Sequence, residues 1–388
     1  MSLDRGTCSD RGAAGTAPAA LRSRAFIAAS SSNRGPVEAV DEWTADTADG
    51  VAATRSLVSV SRDLDQYAEE FAQRLLPIPT GFDVLDHWIG NGLRQGELLL
   101  LGGAPGVGKT TFCLQIARNI AAGGHANVLY ACYEHPEEYV LNRLLVQETI
   151  DPGAPLAAGG LTLEELQLLS AEIAMTNGGG GFYETLRDHP AGARATSAID
   201  EYAGRFHLVA NAARENGIRT LQALVAEHRA RSDEPLVLFV DYLQKVEPAW
   251  GDVTDEDERV TEVVQALKQM ALEHNVAIVA IAASDKSGIE APRLRFRHLR
   301  GSSALLYEAD IAVIMNDKWS IIDRDHIVFN QHKAQQYRDW VVCTVEKNRG
   351  GRNLVEIEFM KRFEYCCFNP RGGRVTERLY EERIQGES

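Results

Sequence analysis

Short apolar runs alternate with amphipathic segments through the central part of the chain. Runs suited to buried strands lie at residues 97–101, 127–132, 236–240, 276–282 and 340–345. Apolar residues at helical spacing occupy residues 111–117, 137–147 and 257–274. Because apolar strands that alternate with helices are typical of parallel sheets, the pattern predicts an α/β fold with a mainly parallel sheet and helices on both faces.

The flanks of this region have a different composition. Residues 1–55 show no sustained period and are rich in Ala, Ser, Gly, Thr and Arg, which predicts a disordered N-terminal arm. Ser61 is placed to cap a helix whose apolar positions are Leu64, Tyr67, Phe71 and Leu75. We therefore expect a linker helix within 56–77, packed either on its own core or on a surface outside its domain.

The alternating pattern extends over residues 78–373 and leaves 374–388 as a C-terminal tail. Between residues 151 and 205 the order is interrupted, and four consecutive glycines occur at 178–181. This stretch predicts a helical hairpin followed by a flexible surface insertion at about 175–205.

A phosphate-binding pattern follows the first apolar run. It consists of Gly103, Ala104, Pro105, Gly106, Val107, Gly108, Lys109 and Thr110, with Thr111 next. A GxxxxGKT sequence between a strand and a helix is the context of the nucleotide triphosphatase loop. Its backbone N–H groups surround the phosphates, Lys109 reaches the β- and γ-phosphates, and Thr110 offers a hydroxyl to Mg²⁺. We therefore predict ATP and Mg²⁺ as cofactors.

Two carboxylates follow predicted strands. Asp241 comes directly after 236–240, and Glu134 follows 127–132. Since ligands of parallel sheets bind at the carboxyl ends of the strands, both side chains are expected to flank the γ-phosphate. We assign Asp241 to Mg²⁺ and Glu134 to activation of the attacking water. The alternatives are a capping role for Asp241 and a solvated surface position for Glu134.

Two cations follow the last apolar run. Lys347 and Arg349 are separated by one residue, and alternate residues of a strand point the same way, so both side chains leave on one face. Such a pair suits stabilisation of a γ-phosphate across a subunit boundary. A solvated basic turn is the alternative.

Composition limits the class of protein. The 388 residues carry a formal net charge of −15, which excludes a surface that is basic overall but allows a local basic channel. The six cysteines lack metal-ligand spacing; Cys113, Cys132 and Cys343 are expected in the core, and Cys366 and Cys367 on opposite faces of a strand. No apolar run approaches the roughly 20 residues that span a membrane, and we expect a cytoplasmic protein.

The motifs, in this order, resemble the RecA-like ATPase domain of DnaB-type replicative helicases over roughly residues 56–370. Residues 78–86 are similar to the family's entry segment, and residues 108–112 match its GKTTF pattern. Residues 133–136 resemble the segment that carries the catalytic glutamate. Residues 241–244 match its DYLQ tetrad, and residues 347–349 correspond to its KQR finger, which acts in trans.

The resemblance implies a homo-oligomer, either a hexameric ring or a helical assembly, with ATP at subunit interfaces. It implies an ATP-hydrolysing helicase that moves 5′ to 3′ on single-stranded DNA, and a linker helix that docks on the neighbouring subunit. The segment that corresponds to a DNA-gripping loop contains Lys286, Arg293, Arg295 and Arg297.

The three arginines of that segment alternate, which places them on one face if the segment is extended. A solubilising loop whose arginines pair with surface acids is the alternative. The chain also departs from the family at residues 282–285, which read Ala-Ala-Ser-Asp where the family has a glutamine that senses the γ-phosphate.

A second hypothesis follows from this departure. The same core would serve as a RecA- or KaiC-like, ATP-dependent assembly switch or scaffold without DNA unwinding. It would bind a protein partner through the N-terminal arm or the insertion.

Overall fold

The computed structural model describes residues 42–47, 50–68, 75–151, 153, 160–176, 181–209, 217–249, 255–322 and 335–380. The chain divides into two compact units, residues 1–73 and 74–388.

The first unit contains a β-hairpin and a helix. Strands β1 (Glu42–Thr47) and β2 (Gly50–Arg55) pair in antiparallel register, and α1 spans Leu57–Gln66. The hairpin differs from the expectation of disorder up to residue 55, while residues 1–41 of the expected arm lie outside the described residues. Ser56, rather than Ser61, caps the helix, because its hydroxyl accepts a hydrogen bond of 3.1 Å from the Ser59 amide. Residues 69–74 of the expected linker helix also lie outside the described residues.

The second unit is built on a ten-stranded sheet of described residues. Its strands are β3 (Leu98–Gly103), β4 (Asn127–Cys132), β5 (Phe206–Leu208), β6 (Leu236–Asp241), β7 (Ala277–Ala283), β8 (Ile311–Asp317), β9 (Trp340–Asn348), β10 (Val355–Arg362), β11 (Cys367–Phe368) and β12 (Gly373–Arg374). Their order is β11-β10-β9-β8-β3-β7-β6-β4-β5, and β12 pairs with β10. The pairings from β8 to β5 are parallel, whereas β9 to β12 extend the sheet in antiparallel fashion.

Helices cover both faces of this sheet. They are α2 (Asp83–Ile89), α3 (Lys109–Ala122), α4 (Glu137–Glu148), α5 (Leu163–Thr176), α6 (Phe182–Leu186), α7 (Pro190–Tyr202), α8 (Ile218–Arg231), α9 (Glu256–Glu273), α10 (Lys286–Glu290), α11 (Ser302–Glu308) and α12 (Lys318–Ile321). Each helix among the described residues is too short or too polar to cross a lipid bilayer.

The core forms two apolar layers, one on each face of the sheet. Along β3, Leu99 and Leu101 contribute to one layer, while Leu98 and Leu100 contribute to the other. The face of α9 predicted from its spacing packs into the second layer, since Val260, Val263, Val264, Leu267, Met270 and Ala271 are all buried. The α/β class predicted from the sequence is therefore confirmed.

The stretch expected to be a flexible insertion is partly packed. Helix α7 lies against α4, and Ala195, Ile199 and Tyr202 are buried in the first core layer. The expectation is therefore wrong for residues 190–202, because apolar residues at helical spacing give α7 a core-facing side. Residues 177–180, with three of the four consecutive glycines, lie outside the described residues.

Two further details differ from expectation near the C-terminus. Arg374 belongs to β12, and Leu379 is buried, so the start of the expected tail packs on the domain. Cys366 has a left-handed conformation (φ 52°) before β11, and both it and Cys367 are buried, so the two cysteines do not lie on opposite faces of one strand. Cys113 and Cys343 are buried as expected, whereas Cys132 is only partly buried.

Candidate nucleotide site

The phosphate-loop sequence connects β3 to the first turn of α3. Gly106 and Gly108 have positive φ angles of 78° and 100°, a region that glycine adopts without the steric penalty of a side chain. Gly108 also needs to be glycine for space, because a Cβ there would lie 2.7 Å from Cζ of Phe363. The loop therefore brings backbone N–H groups and a helix N-terminus to one point, which is an arrangement that binds anions.

Lys109 is the first residue of α3, and its side chain folds back over the loop. Its Nζ donates hydrogen bonds to the carbonyl oxygens of Gly103 (2.8 Å) and Ala104 (3.0 Å). Burial lowers the pKa of Lys109, while the negative charges of Asp241 and Glu134 oppose that shift. A phosphate would offer this desolvated ammonium group an anionic hydrogen-bond partner in place of the two neutral carbonyls.

The two predicted carboxylates come together at the carboxyl edge of the sheet. Strands β4 and β6 are parallel neighbours, and Cys132 lies opposite Asp241 in their register. Asp241 is the last residue of β6 and is buried, whereas Glu134 lies two residues beyond β4 and is exposed. The pairing of the strands thus places both carboxylates beside the phosphate loop.

Burial dominates the electrostatics of Asp241. It raises the pKa of this carboxyl to about 6, and the charge of Glu134 adds to the effect. Hydrogen bonds from Thr110 and Tyr130 oppose the shift. Oδ1 of Asp241 is buried without a hydrogen-bond partner in the described part of the chain. A buried, unpaired carboxylate oxygen is costly, so the site favours a cation at that atom.

The residues present fit a magnesium ion. Mg²⁺ is usually held by one or two protein oxygens together with phosphates and water, rather than by a cage of side chains. Asp241 and the hydroxyl of Thr110 provide such oxygens beside the loop. The described residues contain no cluster of three or more His, Cys, Asp or Glu side chains that would form a self-sufficient metal site.

A cavity of about 450 Å³ joins these groups. The sequence-predicted residues that line it are Pro105, Gly106, Gly108, Lys109, Thr110, Thr111, Glu134 and Asp241. Its other wall is more apolar and contains Tyr139, Leu163, Phe363 and Cys366, together with Arg143.

Sequence reasoning missed Arg143 and Phe363. The guanidinium of Arg143 lies 3.6 Å from the ring centroid of Tyr139, one turn earlier on α4. The four-residue spacing of Tyr139 and Arg143 was visible in the sequence of the helix that follows Glu134. Phe363 follows β10 and reaches the loop only because β10 and β11 fold beside α3, so no local signal could have identified it.

Lys347 and Arg349 lie at the opposite end of the strands from the phosphate loop. Strand β9 is antiparallel to β8, and Asn348 pairs with Ile311, the first residue of β8. The phosphate loop, in contrast, begins after Gly103 at the far end of β3, which is parallel to β8. Four residues of strand, at about 3.3 Å each, therefore lie between the level of Asn348 and the start of the phosphate loop. The two cations therefore do not line the nucleotide cavity of their own chain.

The family described as DnaB-like helicase C terminal domain matches residues 77–367. The chain belongs to this DnaB-like family. It is 23% identical over 290 residues to the replicative DNA helicase DnaB of Geobacillus stearothermophilus, covering 74% of this chain and 55% of that protein. It is 25% identical over 291 residues to the replicative DNA helicase DnaC of Bacillus subtilis, with the same coverage. The chain thus spans about half the length of the curated relatives it matches.

A solved structure supports the fold of this DnaB-like domain. It is that of a DnaB-like replicative helicase, described with its interactions with primase. The two superpose with a TM-score of 0.59 at 19% identity, covering 80% of this chain and 65% of that structure. The predicted resemblance and the RecA-like core are therefore confirmed.

The basic segment of the DnaB-like domain differs from its expected geometry. Residues Phe296–His298 form a turn of 3₁₀-helix, so Arg293, Arg295 and Arg297 do not alternate along an extended face. Arg293 is only 3% exposed; it pairs with Glu356.

The side chains of Arg295 and Arg297 make different contacts from that of Arg293. Arg295 pairs with Glu346 at 3.3 Å, and Nε of Arg297 lies 3.2 Å from Nε2 of His298. Arg297 and Lys286 are exposed. The expectation of three arginines on one face of an extended segment is wrong, because carboxylates on β9 and β10 draw two of them inward.

Proposed function

We propose that this chain hydrolyses ATP and uses the energy to move on single-stranded DNA. One observation carries the proposal: Lys109, Thr110, Glu134 and Asp241 line a single cavity, while Lys347 and Arg349 lie at the other edge of the same sheet. A hydrolysis site divided in this way requires a second copy of the chain. Membership of the DnaB-like family supports the use of ATP and the choice of DNA.

Each group in the cavity has a chemical role. Lys109 would leave the loop carbonyls for the β- and γ-phosphates, and Asp241 with Thr110 would hold Mg²⁺. When bound, Mg²⁺ neutralises the charge that develops on the phosphates. Glu134, which is exposed beside the cavity, would accept a proton from the attacking water. Phe363, which is 38% exposed, offers an aromatic face to the base.

The finger residues would act on the nucleotide of a neighbouring subunit. The Arg349 side chain is 51% exposed at its edge of the sheet, so it can face another chain. A cation that approaches the γ-phosphate from a second subunit stabilises the transition state and makes hydrolysis depend on assembly. A homo-oligomer, either a hexameric ring or a helical assembly, satisfies this requirement at every subunit.

The N-terminal unit supports the same assembly. None of the ten residues of α1, all of them described, is buried, and Leu57 is 88% exposed. Val58, Val60 and Tyr67 are exposed as well, and a group of exposed apolar side chains favours contact with another surface, here the neighbouring subunit. The arm before the hairpin and the segment around residues 175–205 remain proposed attachment points for a protein partner.

The decisive experiment measures ATP turnover of the purified chain at low salt, with and without a single-stranded oligonucleotide. We expect stimulation by DNA that declines as salt is added, because phosphate contacts release counterions. Lys109→Ala is the matched negative control, since it removes turnover under both conditions.

An ATP-dependent oligomer whose turnover ignores DNA at all salt concentrations would overturn the DNA motor and favour the assembly switch. Absence of nucleotide hydrolysis in the wild-type oligomer would overturn the proposal altogether.

A further inference from the structure

Asp310 lies immediately before β8 and is only 6% exposed. A buried carboxylate at this depth needs hydrogen-bond partners, and it has them on both oxygens. Oδ1 accepts a hydrogen bond of 3.0 Å from Nη1 of Arg349. Oδ2 accepts from the Leu98 amide (2.8 Å) and from Nζ of Lys268 (2.7 Å).

The backbone of Asp310 also forms hydrogen bonds with Arg349 and Leu98. Its carbonyl oxygen accepts from the Arg349 amide at 2.9 Å, and its own amide donates to the Leu98 carbonyl at 2.9 Å. Arg349 is further held through Nη2, which donates to the Tyr307 carbonyl at 2.6 Å. The base of the Arg349 side chain and its guanidinium are therefore both attached to buried structure, although half of the side chain remains exposed.

Leu98 connects this cluster to the nucleotide cavity of the same subunit. It is the first residue of β3, and Gly103, which opens the phosphate loop, is the last. This buried strand therefore connects the phosphate loop to the Leu98–Asp310 hydrogen bonds without a break in regular structure.

We propose that Asp310 is a positioning residue that aims Arg349 at the nucleotide of the neighbouring subunit. This inference rests on the proposed function of Arg349 as a finger in trans. Asp310 is not among the residues that line the nucleotide cavity of its own chain. Its effect comes from holding a guanidinium that would otherwise sample many rotamers, so that the cation is in place when charge develops on the γ-phosphate.

Lys268 offers a matched control. Its Nζ binds the other oxygen of the same carboxylate and also donates to the Gly96 carbonyl at 2.9 Å. Lys268→Met removes an ion pair from Asp310 but leaves the contact with Arg349. Asp310→Asn keeps the shape of the side chain and removes the charge that holds the guanidinium. A purely structural role for Asp310 would make the two variants alike.

The test compares kcat and KM for ATP in the assembled wild-type, Asp310→Asn and Lys268→Met proteins, with melting temperatures recorded in parallel. We expect Asp310→Asn to lower kcat by on the order of tenfold with little change in KM, because mispositioning of a transition-state group affects turnover rather than ground-state binding. Lys268→Met should keep a kcat close to that of the wild type, even if its melting temperature falls as far as that of Asp310→Asn.

Mixed oligomers give the second readout. Lys109→Ala subunits lack a working cavity but carry an intact finger, so mixing them with Asp310→Asn subunits should raise turnover above that of either variant alone. A misfolded Asp310→Asn subunit would not recover. If that variant is insoluble, Asp310→Glu, which moves the charge by one methylene, is taken through the same mixing and should show the same recovery.

Two results separate failure of this inference from failure of the proposed function. The positioning role of Asp310 is overturned if Asp310→Asn neither lowers kcat nor gains turnover in mixed oligomers while Arg349→Ala does both. In that case the proposed role of Arg349 as a finger in trans is still supported. An equal loss of kcat in Asp310→Asn and Lys268→Met also overturns it. If Arg349→Ala itself keeps the wild-type kcat, the proposed finger is wrong and the inference falls with it.

Discussion

The hydroxyl of Tyr130 donates a hydrogen bond of 3.2 Å to Oδ2 of Asp241. The two residues lie on the neighbouring strands β4 and β6, and both are buried. The bond stabilises the charged carboxylate from beneath the phosphate loop, which leaves Oδ1 for a cation. Because burial nevertheless raises the pKa of Asp241 to about 6, the charge on this carboxylate varies within an accessible pH range.

The acid limb of ATP turnover should report the protonation of Asp241. As pH falls through about 6, the carboxyl takes up a proton and its hold on Mg²⁺ weakens, so Mg²⁺-dependent turnover should decline. Tyr130→Phe removes a hydrogen bond to the charged form and should move this limb to higher pH. The measurement is kcat/KM against pH for both proteins. An identical acid limb in the two would contradict the assignment.

Asp241→Asn should stabilise the nucleotide-free protein at neutral pH. The pKa of Asp241 is raised on folding from its ordinary 3.8 to about 6, so the unfolded chain releases this proton first and stability is lost as pH rises between those values. The penalty is complete above pH 6 and amounts to on the order of 3 kcal/mol.

Melting temperatures at pH 7 and pH 3 check this stability prediction. The stabilisation by Asp241→Asn should be present at pH 7 and largely lost near pH 3, which is below both pKa values, so that the carboxyl is mostly protonated in the folded and the unfolded state. Asp233→Asn, which removes an exposed carboxyl, is the control and should show no such difference. Equal shifts at the two pH values would count against burial as the cause.

Lys109→Ala should weaken binding of ATP about 10- to 100-fold, as expected for loss of a charge-assisted hydrogen bond of about 1.5–3 kcal/mol. Among the described residues, the hydrogen bonds of this ammonium group go to the loop carbonyls of Gly103 and Ala104, so its loss should change stability little. Titration with a fluorescent ATP analogue measures the affinity. Lys245→Ala, which removes an exposed lysine outside the cavity lining, should bind as wild type.

Arg293 and Lys286 should separate stability from DNA binding. Arg293→Met leaves the partly buried Glu356 without its partner and should lower the free energy of unfolding by about 2–4 kcal/mol, since breaking an ion pair with a buried member is costly. Lys286→Ala removes an exposed cation and should leave the unfolding free energy unchanged while it weakens DNA binding.

Urea denaturation and binding of a labelled single strand measure these two quantities. If Arg293→Met is as stable as the wild type but binds DNA more weakly, Arg293 contributes to DNA binding rather than to stability, and this prediction is wrong.

Phe363→Ala should raise KM for ATP by about 5- to 100-fold and change kcat little, because stacking of a base on an aromatic ring is worth about 1–3 kcal/mol in complexes with single-stranded nucleic acids. The ring of Phe363 borders the cavity beside Gly108. Phe363→Tyr retains the aromatic face and should restore the wild-type KM. If the alanine variant has a normal KM, the base does not bind at this wall.

Local sequence patterns were sufficient for the parts of the site that depend on single elements. A glycine-rich stretch between an apolar run and a helical one specifies the phosphate loop, and a carboxylate after an apolar run must emerge at the carboxyl end of its strand. Lys109, Glu134 and Asp241 were found in this way, and the structure brings all three to one cavity.

Other features depended on pairings between distant parts of the chain. The alternation of arginines at 293, 295 and 297 predicted a shared face, but Glu346 and Glu356, more than 50 positions later in the sequence, draw Arg295 and Arg293 towards the sheet. Phe363 reaches the cavity only through the antiparallel strands that extend the sheet beyond β8.

The sequence by itself determined a phosphate loop, its acidic partners and an α/β core, because each follows from hydrophobic period and strand direction within a few residues. Only the tertiary structure decided that Arg349 lies outside the lining of its own cavity and is held by Asp310, since that depends on the reversal of β9 against β8. Strand order is set by packing between segments more than 200 residues apart, as for Leu98 and Asp310, and no local pattern records it.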